Sequence, residues 1–287
     1  MIDPRTLARD ARALPPLSSA VQELMRLLRV VNTSADAIEK AMLIDAALTA
    51  NVLRTANSPV FGLRRQVRSP SHAVTLLGHS RVRDLVVAAG LQATLPKELP
   101  GYRISATAYL THCVAVGYLS ERIGQQCLPG RDAPWFVSGL LHDIGKLILS
   151  RHLAERQDDL VSHLDQRATL VSAEQTLFGT NHTEVAAVIG SAWALPADII
   201  GAATGHHEPD AHARQAYAHL TDVVHVANVT AHAIGYGEDV AGLARSLDQA
   251  AFRRLGLRAS TIERIASESL DALVELCRTI TAEAHAQ

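Results

Sequence analysis

Apolar residues along this chain recur at helical spacing, and no convincing run alternates β-branched with polar residues between hairpin turns, so the expected fold is all-α. After Leu14-Pro15-Pro16-Leu17, the set Val21, Leu24, Met25 and Leu28 forms one buried stripe, capped by Ser18 or Ser19. Asp36 reads as the cap of a second helix. A third carries Ala47, Leu48, Val52 and Leu53 and stops near Ala56-Asn57-Ser58-Pro59. Ser69-Pro70 opens a short fourth helix that Gly78 ends, and Ser80 restarts a fifth through Leu91. The segment 95–101, with Pro96, Pro100 and Gly101, is the clearest boundary. Beyond it, helices are expected from Ser105 to Gln125, Ala133 to His152, Ala168 to Phe178, His182 to the Trp193-Ala194-Leu195-Pro196 stop, Ala197 to His207, and Tyr217 to Ile234. The tail from Val240 reads as two or three more, turning at Leu255-Gly256-Leu257. The pattern divides the chain into an N-terminal helical subdomain (1–100), a helical core (101–237) and a C-terminal helical extension (238–287).

Composition supports a buried core and narrows the function classes. Of the 287 residues, 48% are apolar and 20% charged. The net charge of -2 gives no overall pull toward nucleic acid or anionic lipid. Cys113, Cys127 and Cys277 are odd in number and widely spaced, resembling neither a disulfide framework nor a zinc knuckle, which favours a reducing compartment. Met1-Ile2-Asp3-Pro4-Arg5 lacks the apolar stretch of a signal peptide. The most apolar window, Ile104 to Ser120, contains His112 and several hydroxyls, so no membrane span is expected and a cytoplasmic protein is the default.

The candidate chemistry centres on Leu140-Leu141-His142-Asp143-Ile144-Gly145-Lys146. An ionised carboxylate in so apolar a run is costly unless paired or bound to a cation. On a helix, His142 and Asp143 would point about 100° apart and flank an ion, with Lys146 one turn later on the His142 side. The chain has 14 histidines, so position must select the ligands: His112 lies on the long helix, His182 opens another, and His206-His207 form a doublet. Imidazoles with one carboxylate suit iron, manganese, zinc or nickel, as one or two ions, better than calcium or magnesium.

The order of motifs resembles HDOD domains. It is carried by Leu14-Pro15-Pro16-Leu17, Asp45-Ala46-Ala47-Leu48, Leu53-Arg54-Thr55-Ala56-Asn57-Ser58, Phe61-Gly62, Ala73-Val74-Thr75-Leu76-Leu77-Gly78, Gly139 through Gly145, Trp193-Ala194-Leu195-Pro196 and His206-His207. The resemblance spans roughly residues 12 to 235 and implies a multi-helix HD-like core with an N-terminal five-helix bundle packed on it. HDOD domains are similar to HD phosphohydrolases and HD-GYP cyclic dinucleotide phosphodiesterases, yet serve mostly as regulatory or output modules in bacterial signalling. Carried over by position, the relatives' metal ligands fall on His112, His142, Asp143, His182, His206 and His207, with Lys146 near a substrate phosphate. Their last ligand is an aspartate, and here the position is Asn228, whose amide offers an oxygen but no charge. Asp222 cannot replace it, because six residues turn a helix by about 600°. No Gly-Tyr-Pro follows the doublet, and Ala46 stands where the family usually has proline.

The expectation is therefore a regulatory module that binds a signalling protein or a small nucleotide ligand through a degenerate metal site, alone or as a homodimer. The alternative is a metal-dependent phosphohydrolase or phosphodiesterase acting on a nucleotide or cyclic (di)nucleotide, with Asp143 bridging ions and Lys146 on the phosphoryl oxygens. Nucleic-acid binding by Arg64, Arg65, Arg68, Arg81 and Arg83 ranks last, since no aromatic residues interleave them for base stacking.

Overall fold

The computed structural model describes residues 1–15, 17–27, 33–166, 168–237 and 247–281. The all-α expectation holds, and the described strands are the two-residue pair β1 (Glu98–Leu99) and β2 (Ile104–Ser105), antiparallel with Glu98 opposite Ser105. The chain divides into two compact units. One comprises residues 15–95 and 270–287, the other 1–14 and 96–269.

The first unit contains α2 (Ser19–Leu27), α3 (Ala35–Met42), α4 (Ala46–Ala56) and α5 (Pro70–Thr94). α5 is broken at Gly78, whose φ of 79° belongs to the left-handed region that glycine tolerates, so two helical segments flank it as expected. Caps set the starts: Asp45 accepts from the Leu48 amide at 2.9 Å, and Ser69 accepts from His72, with Pro70 at the first helical position. Asp36 is not a cap. Ser34 takes that role, and Asp36 sits in the first turn beyond it, where its charge complements the helix dipole. Leu17, Leu24, Ile38, Met42, Val52 and Leu91 are fully buried in this unit, whereas Leu28 lies outside the described residues. Of the basic segment, Arg64, Arg65 and Arg68 are exposed. Arg81 and Arg83 lie 3.9 and 3.7 Å from the buried Asp84.

The second unit opens with α1 (Pro4–Ala13), a helix the apolar pattern did not suggest, although Asp3-Pro4 is a cap followed by proline and Asp3 accepts from the Arg5 amide. There follow α6 (Ala106–Cys127), α7 (Trp135–Leu140), α8 (Lys146–Leu153), α9 (Gln157–Asp165), α10 (Leu170–Phe178), α11 (His182–Ala192), α12 (Ala197–Gly205), α13 (Ala218–Ala233), α14 (Gln249–Arg254) and the first half of α15 (Ala259–Thr281). α9 was not expected. α6 packs against α7 and α13, and α12 against α7 and α13, which brings the histidine-bearing elements to one core. Among the described residues, no helix is long and apolar enough to cross a membrane.

One correction matters for the site. The expected continuous helix from Ala133 to His152 is two helices, α7 and α8, and His142-Asp143 lies in the turn between them. The turn is held by i to i+3 bonds, Ile144 to Leu141 at 3.2 Å and Lys146 to Asp143 at 2.9 Å. Two features hold it: the His142 ring donates from Nδ1 to the Gly139 carbonyl at 2.7 Å, competing for an acceptor of the α-helical ladder, and Gly145 lies against the backbone of α11.

Candidate metal centre

Four neighbouring elements deliver the donors, and each histidine is aimed by a bond from its own ring. His142 is fixed by Gly139 as above. His112, on α6, meets the Tyr236 carbonyl through Nδ1 at 2.5 Å. His206, which caps α12, donates from Nδ1 to the Ala203 carbonyl at 2.8 Å. His182, the first residue of α11 after the Asn181 cap, places Nδ1 2.7 Å from Glu174 Oε2. In neutral rings these four bonds select the Nδ1–H tautomer and turn the Nε2 lone pairs the other way.

All four lone pairs face Asp143. Its Oδ2 is 3.3 Å from His142 Nε2 and 3.8 Å from His112 Nε2, while Oδ1 is 3.4 Å from His182 Nε2 and 3.6 Å from His206 Nε2. His142, Asp143, His182 and His206 are completely buried. None of the four Nε2 atoms, nor Asp143 Oδ1, makes a hydrogen bond among the described residues. Burial lowers the affinity of His112 for a proton and pushes the His206 pKa down to about 3, so protons do not reconcile acceptors that face acceptors. Burial alone would raise the Asp143 carboxyl, but the fields of His142 and Lys146 outweigh it and hold it well below the usual carboxylate range.

A cation resolves this arrangement, and the donors form two groups that share one carboxylate. Asp143, His182, His206 and His207 make one, and His112, His142 and Asp143 the other, with the donor atoms of each group within 4.8 Å of one another. Imidazole nitrogen plus one carboxylate oxygen is a donor set that fits a divalent transition ion. The sequence thus named six residues that the fold brings together. Lys146 departs from its expected place: it lies on the Asp143 side, Nζ 2.8 Å from Oδ2, with its ammonium 5.3 Å from the centre of the Tyr102 ring. The displacement follows from the turn, which replaces helical spacing between 142 and 146. Asn228 is buried on α13 with Oδ1 lacking a hydrogen-bond partner among the described residues. Asp222, dismissed as its replacement, is engaged by Arg254 at 2.6 and 2.9 Å.

Three supporting residues escaped the sequence reading. Glu174 is completely buried and accepts from the His182 amide at 2.9 Å, as well as from the Tyr102 hydroxyl at 2.7 Å, so it fixes both the backbone and the ring of His182. The signal was present: Leu170, Ala173, Glu174 and Leu177 share one buried face of α10, which puts a carboxylate in an apolar stripe. His225 receives the Asp248 amide proton at Nε2 and meets the His206 carbonyl through Nδ1, each at 2.8 Å. His232, buried on α13, has its ring 4.7 Å from that of His112. The carboxylate–histidine pair carries a direct prediction. Glu174→Gln removes the charge that orients His182 and should weaken Co2+ binding in the His182 half by about tenfold or more. Competition with a chelator of known affinity measures it, and unchanged affinity would remove Glu174 from this role.

These features define a class before any comparison: an all-α protein whose core encloses a histidine cluster arranged in two halves around one aspartate. The sequence pattern of the HDOD domain matches residues 14–209, and the chain belongs to that family. The crystal structure of the "Putative phosphohydrolase" from Shewanella amazonensis SB2B superimposes with a TM-score of 0.75 at 19% identity, over 96% of this chain and 97% of that one. The "Putative signal transduction protein" from Marinobacter aquaeolei VT8 gives 0.76 at 20% identity, over 98% of this chain but 62% of its own. At such identities the likeness is one of fold. In sequence, an uncharacterized protein of Treponema pallidum (strain Nichols) is 27% identical over 222 residues, which are 76% of this chain and 42% of that protein. The chain therefore spans less than half the length of the curated relative it matches.

Proposed function

We propose that this chain is a regulatory binding module of HDOD type whose His/Asp cluster holds a divalent transition ion as a structural and sensing element. The size of the space at the cluster carries the reading. The cavity bounded by Ile104, Ala108, Tyr109, His112, Asp143, Lys146, His232 and Gly237 has a volume of about 10 Å³. That suits one water-sized body, whereas pockets for small organic ligands run to about 300–1,000 Å³. A nucleotide does not fit in this cavity as the described residues form it. Asn228 in place of the last carboxylate and the lack of Gly-Tyr-Pro after His207 point the same way. Ion binding then adds to stability, by about 4 kcal/mol when free ion exceeds its Kd by about 1,000-fold, and signalling partners read the resulting state.

A phosphohydrolase is the second reading, favoured by one observation: the donors form two halves on a shared carboxylate with Lys146 beside it. Metal-loaded protein, assayed with phosphomonoesters, cyclic nucleotides and cyclic dinucleotides, decides between them. The expected outcome is no turnover above an Asp143→Ala control, together with a melting temperature that falls on chelation. Turnover above that control would reverse the ranking.

A further inference from the structure

We infer that an ion in the His112 half of the cluster takes its fourth protein donor from His232. The inference rests on the metal-centre reading above. The two halves are unequally furnished. The His182 half gathers four donor residues, while the other gathers three, His112, His142 and Asp143. Asn228, where the family resemblance implies a carboxylate, offers a neutral amide oxygen, a poorer ligand than imidazole for the divalent ions that suit this cluster.

His232 stands one helical turn beyond Asn228, on the same face of α13. It is buried and lines the same small cavity as His112, Asp143 and Lys146. The spacing of the rings is compatible with shared ligation. A metal–nitrogen bond of about 2.1 Å, extended by about 1.1 Å to the ring centre and opened to a tetrahedral angle, separates two imidazole centres by about 5 Å. His112 and His142 are 5.1 Å apart, and His112 and His232 are 4.7 Å apart. The nitrogens of His232 stand outside the 4.8 Å gathering of the other three, so capture of the ion includes a turn of this ring toward Asp143.

The neighbouring backbone leaves room for that ring. A β-carbon on Gly237 would lie 1.8 Å from His232 Nδ1, so the position requires glycine while His232 is seated there. The same residue lines the cavity. A histidine one turn along the helix thus takes over from a carboxylate lost at 228, and the half keeps four donors while becoming one negative charge poorer.

The test is Co2+ binding to the full chain, by equilibrium dialysis with metal analysis and by the visible absorption of the bound ion, with thermal melting to confirm folding. Wild type is expected to bind two Co2+, and His182→Gln to lose the ion of its own half. His232→Gln, close in volume, should lose the other ion or bind it about 100-fold more weakly, with a changed visible spectrum. Asn228→Ala should stay within about threefold of wild type, and Asn228→Asp placed in the His232→Gln background should restore the second ion. A merely structural role for His232 would not give that rescue. Two ions held by His232→Gln at wild-type affinity would overturn the inference, as would an Asn228→Ala loss equal to that of His232→Gln. A single wild-type ion, lost in His182→Gln but kept in His232→Gln, overturns the inference and leaves the metal-centre reading standing. No Co2+ bound to wild type overturns both.

Discussion

Asp143→Ala should abolish ion binding in both halves of the cluster, the largest functional effect expected of any single substitution here. Four imidazole nitrogens converge on its two oxygens at 3.3–3.8 Å, and among the described residues the side chain is the only donor common to both groups. The loss also reaches stability. Lys146 is buried and loses the carboxylate 2.8 Å away, a change that costs about 3–5 kcal/mol when a buried ion pair is broken from one side. Metal analysis after dialysis and a denaturant midpoint measure the two effects separately. Retention of one ion by folded Asp143→Ala would show that a half can form without the shared oxygen.

Gly145→Ala should also be strongly destabilising, in the same turn. A β-carbon at 145 would stand 1.8 Å from the His182 carbonyl oxygen and 2.9 Å from the Ala186 amide nitrogen, both backbone atoms of α11. No flexible side chain can yield, so the turn and the start of α11 must separate. Overpacking of this kind costs about 1–3 kcal/mol where neighbours adjust, and backbone contact puts this site at or above the upper end. Because the separation moves His182 from Asp143, ion affinity in the His182 half should fall with stability. Chemical denaturation and Co2+ titration of the same preparation check both, and a stability loss under about 0.5 kcal/mol would show that the two segments slide apart freely.

Helical spacing and caps made most elements legible in advance. Asn181 before His182, Ser105 before α6 and Gly179 after α10 are local signals whose meaning depends little on the rest of the chain. The break between α7 and α8 was not legible, because no proline marks it and the apolar residues on both sides of His142-Asp143 keep helical spacing. It comes from the His142 ring taking the Gly139 carbonyl and from the close approach of Gly145 to α11. The six clustered ligands were legible mainly through resemblance. His232 was not, since α13 is buried on nearly every side and a histidine there has no apolar face to interrupt. Glu174 was legible by the same rule that singled out Asp143, a carboxylate in a buried stripe, but the polar neighbours Ser172, Gln175 and Thr176 give that stretch of α10 the look of a solvated face.

The shared carboxylate also links the two halves thermodynamically. Asp143 carries one negative charge, so in a chain that takes an ion in each half, as proposed above, the first ion would draw on it and leave less for the second, while two dications a few ångströms apart would repel in a dry interior. Occupancy of either half would then lower the affinity of the other by the same factor, whichever is filled first. A chain loaded in this way would titrate as two steps spread over a broad concentration range, grading its response to ion supply instead of switching once.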